Sequence, residues 1–347
     1  MKAFAGRALV RWETLLVVAI VAVGIWSVTL SPFFLRRANL LDLVTPYVFI
    51  GLMAFGLTFV VITGEIDISV ASTLAASIVS FAQIFAAGVN VWAAALIGLC
   101  IAGGLGLVNG VLVGVLNLPS LAVTLGTMAA YSGLAFVILS GEGVATFPAG
   151  FTKFGGGYLA SNELPIALLV MLGFAAGLGI LLHRTRFGRY LFAIGSNREA
   201  ARLSGIPVTR VRVTVFVISG LMAGIAGLVY VGYFGSARAD AAQLSLLDIV
   251  TAVVLGGVGI FGGTGSMPGV LLALVLVAEV RNGMQLANLS GQLQNIVIGV
   301  LLLAAIVAGN VIAGARTGSR PAMFRRFRKG VTANARAEAK VLVDSNP

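Results

Sequence analysis

Charged residues are scarce in this 347-residue chain. They make up 10% of it, against roughly a quarter of a soluble globular domain. Between Ile68 and Gly141 no Asp, Glu, Lys or Arg occurs over 74 residues, room for three membrane crossings at about 20 residues each. Cysteine is nearly absent. Cys100 stands alone in an apolar run, which excludes an internal disulfide and a Cys-built zinc site. His183 is the only histidine, which argues against a His-built metal centre or a Ser–His triad.

What is present is apolar surface. Residues of that class reach 59%, more than a soluble fold could enclose, so the surplus faces lipid. The reading is an all-α polytopic membrane protein. Ten helices are expected over Thr14–Phe34, Leu43–Thr63, Ile68–Gly88, Val91–Leu116, Leu121–Ser140, Leu164–Leu182, Val211–Phe234, Leu247–Ile260, Val270–Leu286 and Leu293–Ala313. Eight spans result instead if Ile68–Gly88 or Gly256–Gly269 is re-entrant. The apolar run after Lys2, Arg7 and Arg11 is long for a signal peptide and lacks a small-residue cleavage site, so a retained first span is expected. Residues 1–13 form a cytoplasmic N-terminus, 14–313 the transmembrane domain and 314–347 a basic cytoplasmic tail.

The net charge of +11 raises the question of nucleic acid, but its distribution argues otherwise. His183 to Arg212 holds seven arginines (184, 186, 189, 198, 202, 210 and 212) against one glutamate. Further basic residues gather at both chain ends, whereas Gly141–Asn162 holds one lysine. Positive residues collect at the cytoplasmic ends of spans. The central loop and both termini are therefore expected inside, and Gly141–Asn162 outside. Arg36 and Arg37 fall on the outer side, against the trend.

Several patterns within the spans invite interpretation. Gly106, Gly110 and Gly114 recur every four residues, as do Gly173/Gly177 and Gly220/Gly224. Such faces let helix backbones approach closely where lipid gives no hydrophobic drive; a pathway lining is the alternative. Gly257-Val-Gly-Ile-Phe-Gly262 fits the spacing of a dinucleotide-binding loop, but membrane spans flank it rather than a strand and a βαβ unit. It also lacks a phosphate-binding lysine. These glycines read as a helix break, tolerated where backbone is buried in protein or lines a cavity. Glu65 and Asp67 interrupt an apolar stretch at a cost of about 2.5–3.5 kcal/mol each at a helix centre. Asp67 can cap the helix starting near Ser69, or both can serve a pathway or gate. Asp248 reads as an N-cap, and Glu279 with Arg281 as an ion pair or as helix-end anchors.

The central loop carries a local signature. Ser196-Asn-Arg-Glu199 has capping-box spacing, with Ser196 as cap and Glu199 reaching back. Gly205 suits the C′ position and Pro207 blocks continuation. A bounded helix over Asn197–Ser204 follows, with Arg198 and Arg202 on one face. It is either an interfacial helix whose arginines meet lipid phosphates or a docking element for a soluble partner.

Four stretches carry a family resemblance: Thr63-Gly-Glu-Ile-Asp-Ile-Ser-Val-Ala-Ser72, Pro119-Ser-Leu-Ala-Val-Thr-Leu-Gly-Thr127, the segment from Thr185 through Gly205, and Gly256–Gly265. In order and spacing they resemble the permease subunits of bacterial ATP-binding-cassette importers for monosaccharides, over nearly all of Trp12–Asn310. The resemblance implies a bacterial inner-membrane subunit without catalytic residues, metal or cofactor of its own. ATP and Mg would be bound by two ATP-binding subunits or one tandem ATPase. A periplasmic sugar-binding protein would deliver substrate, and a second permease subunit, identical or paralogous, would complete the pathway. No nucleic-acid partner is implied. The coupling element to the ATPase would comprise Gly195, Ser196, Asn197, Arg198, Glu199, Ala200, Ala201, Arg202, Leu203, Ser204 and Gly205. Glu65, Asp67, Ser69, Thr124, Gly257 and Gly262 are the candidate pathway or gate residues. Glu65 replaces a common glycine of the family. That variant and the opening Arg-Trp-Glu look most like rhamnose-type permeases, with autoinducer-2 permeases similar. The alternative is a proton-coupled secondary transporter using Glu65, Asp67 or Glu279; no Ser/Lys, Ser/His or two-Asp constellation supports an intramembrane enzyme.

Overall fold

The computed structural model describes residues 12–139, 143–159 and 164–316. The terminal segments 1–11 and 317–347, which include most of the expected N-terminus and tail, lie outside the described residues. Helices dominate: α1 (Trp12–Leu30), α2 (Arg37–Ile62), α3 (Val70–Ala86), α4 (Val91–Gly110, extended by a wider turn over Val111–Val115) and α5 (Ser120–Leu139) come first. After them come α6 (Ala149–Gly156), α7 (Ile166–Arg184), α8 (Arg186–Ser196), α9 (Arg198–Leu203), α10 (Val208–Phe234), α11 (Leu246–Leu255), α12 (Met267–Leu286) and α13 (Gly291–Arg316). Each of the ten apolar segments read from the sequence contains a helix. Among the described residues, eight are long and apolar enough to cross a membrane, and α3 and α11 are shorter.

The short α11 corrects the expected Leu247–Ile260. Gly256 ends the helix and Gly257 takes a left-handed φ of +84°, so the glycine cluster continues as a loop rather than a last helical turn. Two helices were not anticipated. In α8, Thr185 caps the first turn by accepting from the Gly188 N–H, and Leu191 and Ile194 are buried. In α6, inside the segment Gly141–Asn162 expected outside, Phe151 is buried and Gly155 packs on the backbone of α10 at Val229–Tyr233. Two antiparallel pairs, Val144–Ala145 with Ser236–Ala237 and Tyr158–Leu159 with Leu164–Pro165, frame that region.

At the centre, α10 packs on α2, α3, α4 and α6, and α3 also packs on α4 and α5. A second group of α1, α11, α12 and α13 attaches through α2. The glycine face on α4 behaves as expected. A Cβ on Gly106 would overlap the Phe216 carbonyl oxygen, and Gly110 and Gly114 lie against Val213 of α10. Gly220 meets the same seam from the other side, against Ala102 and Gly106. Gly173 and Gly177 do not meet another helix among the described residues, where no neighbouring atom lies within 4 Å of a Cβ built on either. Their face of α7 is exposed.

The ends of α7 define two faces. Nineteen residues extend about 28 Å at 1.5 Å per residue, so α6 at its start and α9 beyond its end lie on opposite sides. Arg36, which broke the charge trend, sits with its guanidinium 4.3 Å from the centre of the Phe33 ring, a cation–π contact that gives the charge an aromatic partner.

Candidate functional site

Four segments far apart in sequence meet beneath α9. The first is the turn between α2 and α3. Gly64 bends it with a left-handed φ of +79°. Glu65 follows, 4% exposed, and its Oε1 accepts from Arg212 Nε at 2.9 Å and also from Arg198 Nη2. Arg212 is 3% exposed and passes its Nη1 to Asn117 Oδ1 at 2.8 Å. Removing two charges from water costs several kcal/mol per ion unless geometry and further hydrogen bonds compensate. Here one carboxylate serves two guanidiniums, and Asn117 takes a remaining donor.

The second segment is the start of α5, which holds the same turn by its backbone. Ser120 Oγ accepts from the Ile66 N–H at 3.1 Å, and Thr124 Oγ1 lies 3.2 Å from the Ile66 carbonyl oxygen, to which it donates. Asp67 is buried beside them. Its Oδ1 accepts from the Ser69 N–H and hydroxyl at 3.0 and 2.7 Å, and its Oδ2 from Ser219 Oγ at 2.9 Å. Asn109 donates to Ser69 Oγ at 2.8 Å. The expected cap is thus altered. Ser69 holds the N-cap position of α3, and Asp67 braces Ser69 instead of reaching the first helical N–H groups.

The third and fourth segments are the end of α8 and the glycine cluster. A Cβ on Gly195 would overlap the Ile62 carbonyl oxygen and the Gly263 amide. Gly262 stands equally close to Gly64 and Gly195, with a Cβ reaching their backbones at 2.7 and 2.9 Å. The Gly263 N–H donates to the Ile62 carbonyl at 2.8 Å. Glycine is required at this crossing because three backbones occupy the space of side chains. Gly257 lies elsewhere, against the Trp12 ring.

The expected capping box is corrected. Ser196 is the last residue of α8, and its hydroxyl donates to the Phe192 carbonyl at 2.7 Å. The break falls one residue later, at Asn197 with φ −160° and ψ 104°, whose side chain accepts from the Ala200 N–H at 3.0 Å. Glu199 does not reach back; it accepts from Arg202 at 3.3 Å on the surface. The C-terminal stop is as expected. Gly205, at φ +78°, donates to the Arg202 carbonyl and Ile206 to that of Ala201, the paired bonds of a Schellman ending. Of the expected coupling residues, Arg198, Glu199, Ala200, Ala201, Arg202 and Leu203 form α9; Asn197 and Ser204 cap it, and Gly195 and Ser196 root it.

Other charged positions depart from expectation. Asp248 is no N-cap. It lies in the third position of α11, buried, and accepts from Arg281 Nε and Nη2 at 3.0 and 2.6 Å. Arg281 therefore pairs with Asp248 and Asn295 rather than with Glu279. Glu279 faces α1 near Gly24, and its Oε2 has no hydrogen-bond partner among the described residues. The opening Trp12 and Glu13 have structural duties: Trp12 Nε1 donates to the Leu255 carbonyl at 2.7 Å, and Ser266 Oγ to Glu13 at 3.0 Å. Sequence reasoning missed Arg212, Asn117, Ser219 and Asn109 as members of the site. Arg212 was visible only as one basic residue among seven, and the others only as polar residues in or beside apolar runs.

The profile of a family described as the branched-chain amino acid transport system permease component matches residues 39–306. The ribose import permease protein of Bacillus subtilis is 36% identical over 280 residues, 80% of this chain and 86% of the relative. The autoinducer 2 import system permease protein of Klebsiella pneumoniae is 35% identical over 304 residues, 86% and 91% of the two chains. That of Escherichia coli K12 is 35% identical over 311 residues, 86% and 92%. No solved structure gives a significant match.

Proposed function

The chain belongs to this permease-component family of inner-membrane importers, and on that premise we propose that it is the transmembrane subunit of an ATP-driven sugar importer, energised through α9 by ATPase subunits on separate chains. It is a transport subunit rather than an enzyme. The observation that carries the reading is α9 itself. A six-residue helix closed by a side-chain cap at one end and a Schellman ending at the other presents Leu203 at 79% exposure. Glu199 and Arg202 flank that apolar tip with exposed side chains. An isolated helix this short is unstable in water, so both caps and a rigid root are needed to hold it for a partner.

In this reading the arginine-bearing face is cytoplasmic, a sugar-binding protein delivers substrate to the face carrying α6, and a second permease subunit, identical or paralogous, completes the pathway. ATP and Mg belong to the partners. Glu65, Asp67, Ser69 and Thr124 brace the pathway at the α2–α3 turn. The proton-coupled alternative is not favoured: two of its three carboxylates, Glu65 and Asp67, are committed to arginine and serine partners, the third, Glu279, faces α1 near Gly24, and the relatives are import permeases. Rhamnose finds no support, because the relatives carry ribose and autoinducer 2 in their names; of the residues that suggested it, Glu65, Trp12 and Glu13 have internal partners. The substrate proposed is a small sugar of the size of ribose.

The test crosslinks and transports. In a Cys100→Ser background, Leu203→Cys is expected to crosslink to the ATPase subunit in membranes. Cells holding the chain and its partners are expected to take up labelled ribose or autoinducer 2 in an ATP-dependent manner. Uptake driven by a pH gradient without ATP, with no crosslink, would overturn the reading.

A further inference from the structure

We propose that Glu65 is a positioning residue that ties the movement of α9 to the membrane core, through a carboxylate shared unequally between Arg198 and Arg212. The inference rests on α9 being the ATPase-coupling element.

The two arginines differ in what it costs to move them. Arg212 and Glu65 are 3% and 5% exposed in their side chains. Separating them would strand a buried charge, an expensive step. Arg198 is 47% exposed, so water can replace the carboxylate when it withdraws. Losing Arg198 leaves a neutral buried pair behind, still completed by Asn117. The site therefore has two arrangements, with Arg198 docked or released, and only the exposed partner changes.

Arg198 is placed to make that change. It is the first residue of α9, directly after the extended Asn197, while Gly205 ends the segment with a left-handed turn. The helix thus hangs between two backbone bends, and any displacement of it acts first on Arg198. At the other end of the link, the α2–α3 turn grips α10 twice: Glu65 holds Arg212, and Asp67 holds Ser219. These anchors are seven residues apart on α10, two turns of one face. A pull on Glu65 is thereby delivered between the turn that starts α3 and the helix at the centre of the fold. Docked Arg198 locks α9 to that turn, and release frees it to move relative to α10.

The experiment measures sugar uptake and ATP hydrolysis together in proteoliposomes containing the full transporter, with labelled ribose, rhamnose and autoinducer 2 as probes. Arg198→Gln and Glu65→Gln are each expected to lower the sugar moved per ATP hydrolysed about tenfold, within the usual range for coupling between sites. Arg198→Lys should recover most of the loss. The double variant Arg198→Gln/Glu65→Gln should be no worse in this ratio than Glu65→Gln alone, since without the carboxylate Arg198 has no link left to lose. A purely structural defect lowers uptake and hydrolysis together and leaves their ratio unchanged. An unchanged ratio in Arg198→Gln, or effects that multiply in the double variant, would overturn the proposal. A wild-type chain that neither binds nor responds to the ATPase would instead overturn the function on which it rests.

Discussion

At Asn197 a difference of one residue decides which side chain does the capping. Serine and asparagine are near-equal as N-caps, so Ser196 and Asn197 compete on local chemistry alone. Asn197 holds the position: the Ser196 hydroxyl is taken by the Phe192 carbonyl inside α8, while the extended backbone of Asn197 presents its side chain to the Ala200 N–H. The consequence is measurable. Asn197→Ala is expected to cost α9 about 0.5–2 kcal/mol and to reduce transport. Glu199→Ala removes only an exposed pair with Arg202, worth about 0–1 kcal/mol, and should leave stability nearly unchanged. Chemical denaturation in detergent, read beside uptake, checks both; a larger loss from Glu199→Ala would restore the capping box.

Among the elements, α10 is organised by small residues. Its seam with α4 is built from Gly106, Gly110 and Gly220, where two backbones meet without intervening side chains. Close approach supplies dispersion and packing in a solvent that offers helices no hydrophobic gain. Gly106→Ala should force the two helices apart and cost about 1–3 kcal/mol, as overpacking does. Gly173→Ala, with open space before it, should be neutral or stabilising through the better helix propensity of alanine. Thermal unfolding of the two variants in one detergent compares them directly, and equal losses would contradict the assigned seam.

For the whole molecule, the arrangement of charge and the arrangement of structure agree on two faces. α9 and the basic residues around it occupy one, and α6 with the two short strand pairs the other. Lys153 on α6 and Leu203 on α9 are both exposed, so they report on the faces separately. In a Cys100→Ser background, Lys153→Cys is expected to react with an impermeant maleimide in intact spheroplasts. Leu203→Cys should react only after permeabilisation. The reverse pattern would invert the orientation.

By itself the sequence determined the ten apolar helices, a helix break within the glycine cluster though not its start at Gly256, the stop at Gly205 and the resemblance carried by four motifs. These are properties of composition, local backbone geometry and spacing, which need no neighbour from elsewhere in the chain. It did not reveal that Glu65 faces Arg198 and Arg212, that Asp67 holds Ser219, or that Asp248 takes Arg281. Those pairings join residues 33 to 152 positions apart, and a carboxylate in an apolar run is equally compatible with a cap, a gate or a buried ion pair until its partner is in place. The bounded helix of the central loop was legible from local signals. That its root is wedged between two other glycine-lined backbones, and its first arginine tied to the turn before α3, was decided only when tertiary packing brought the four motifs together.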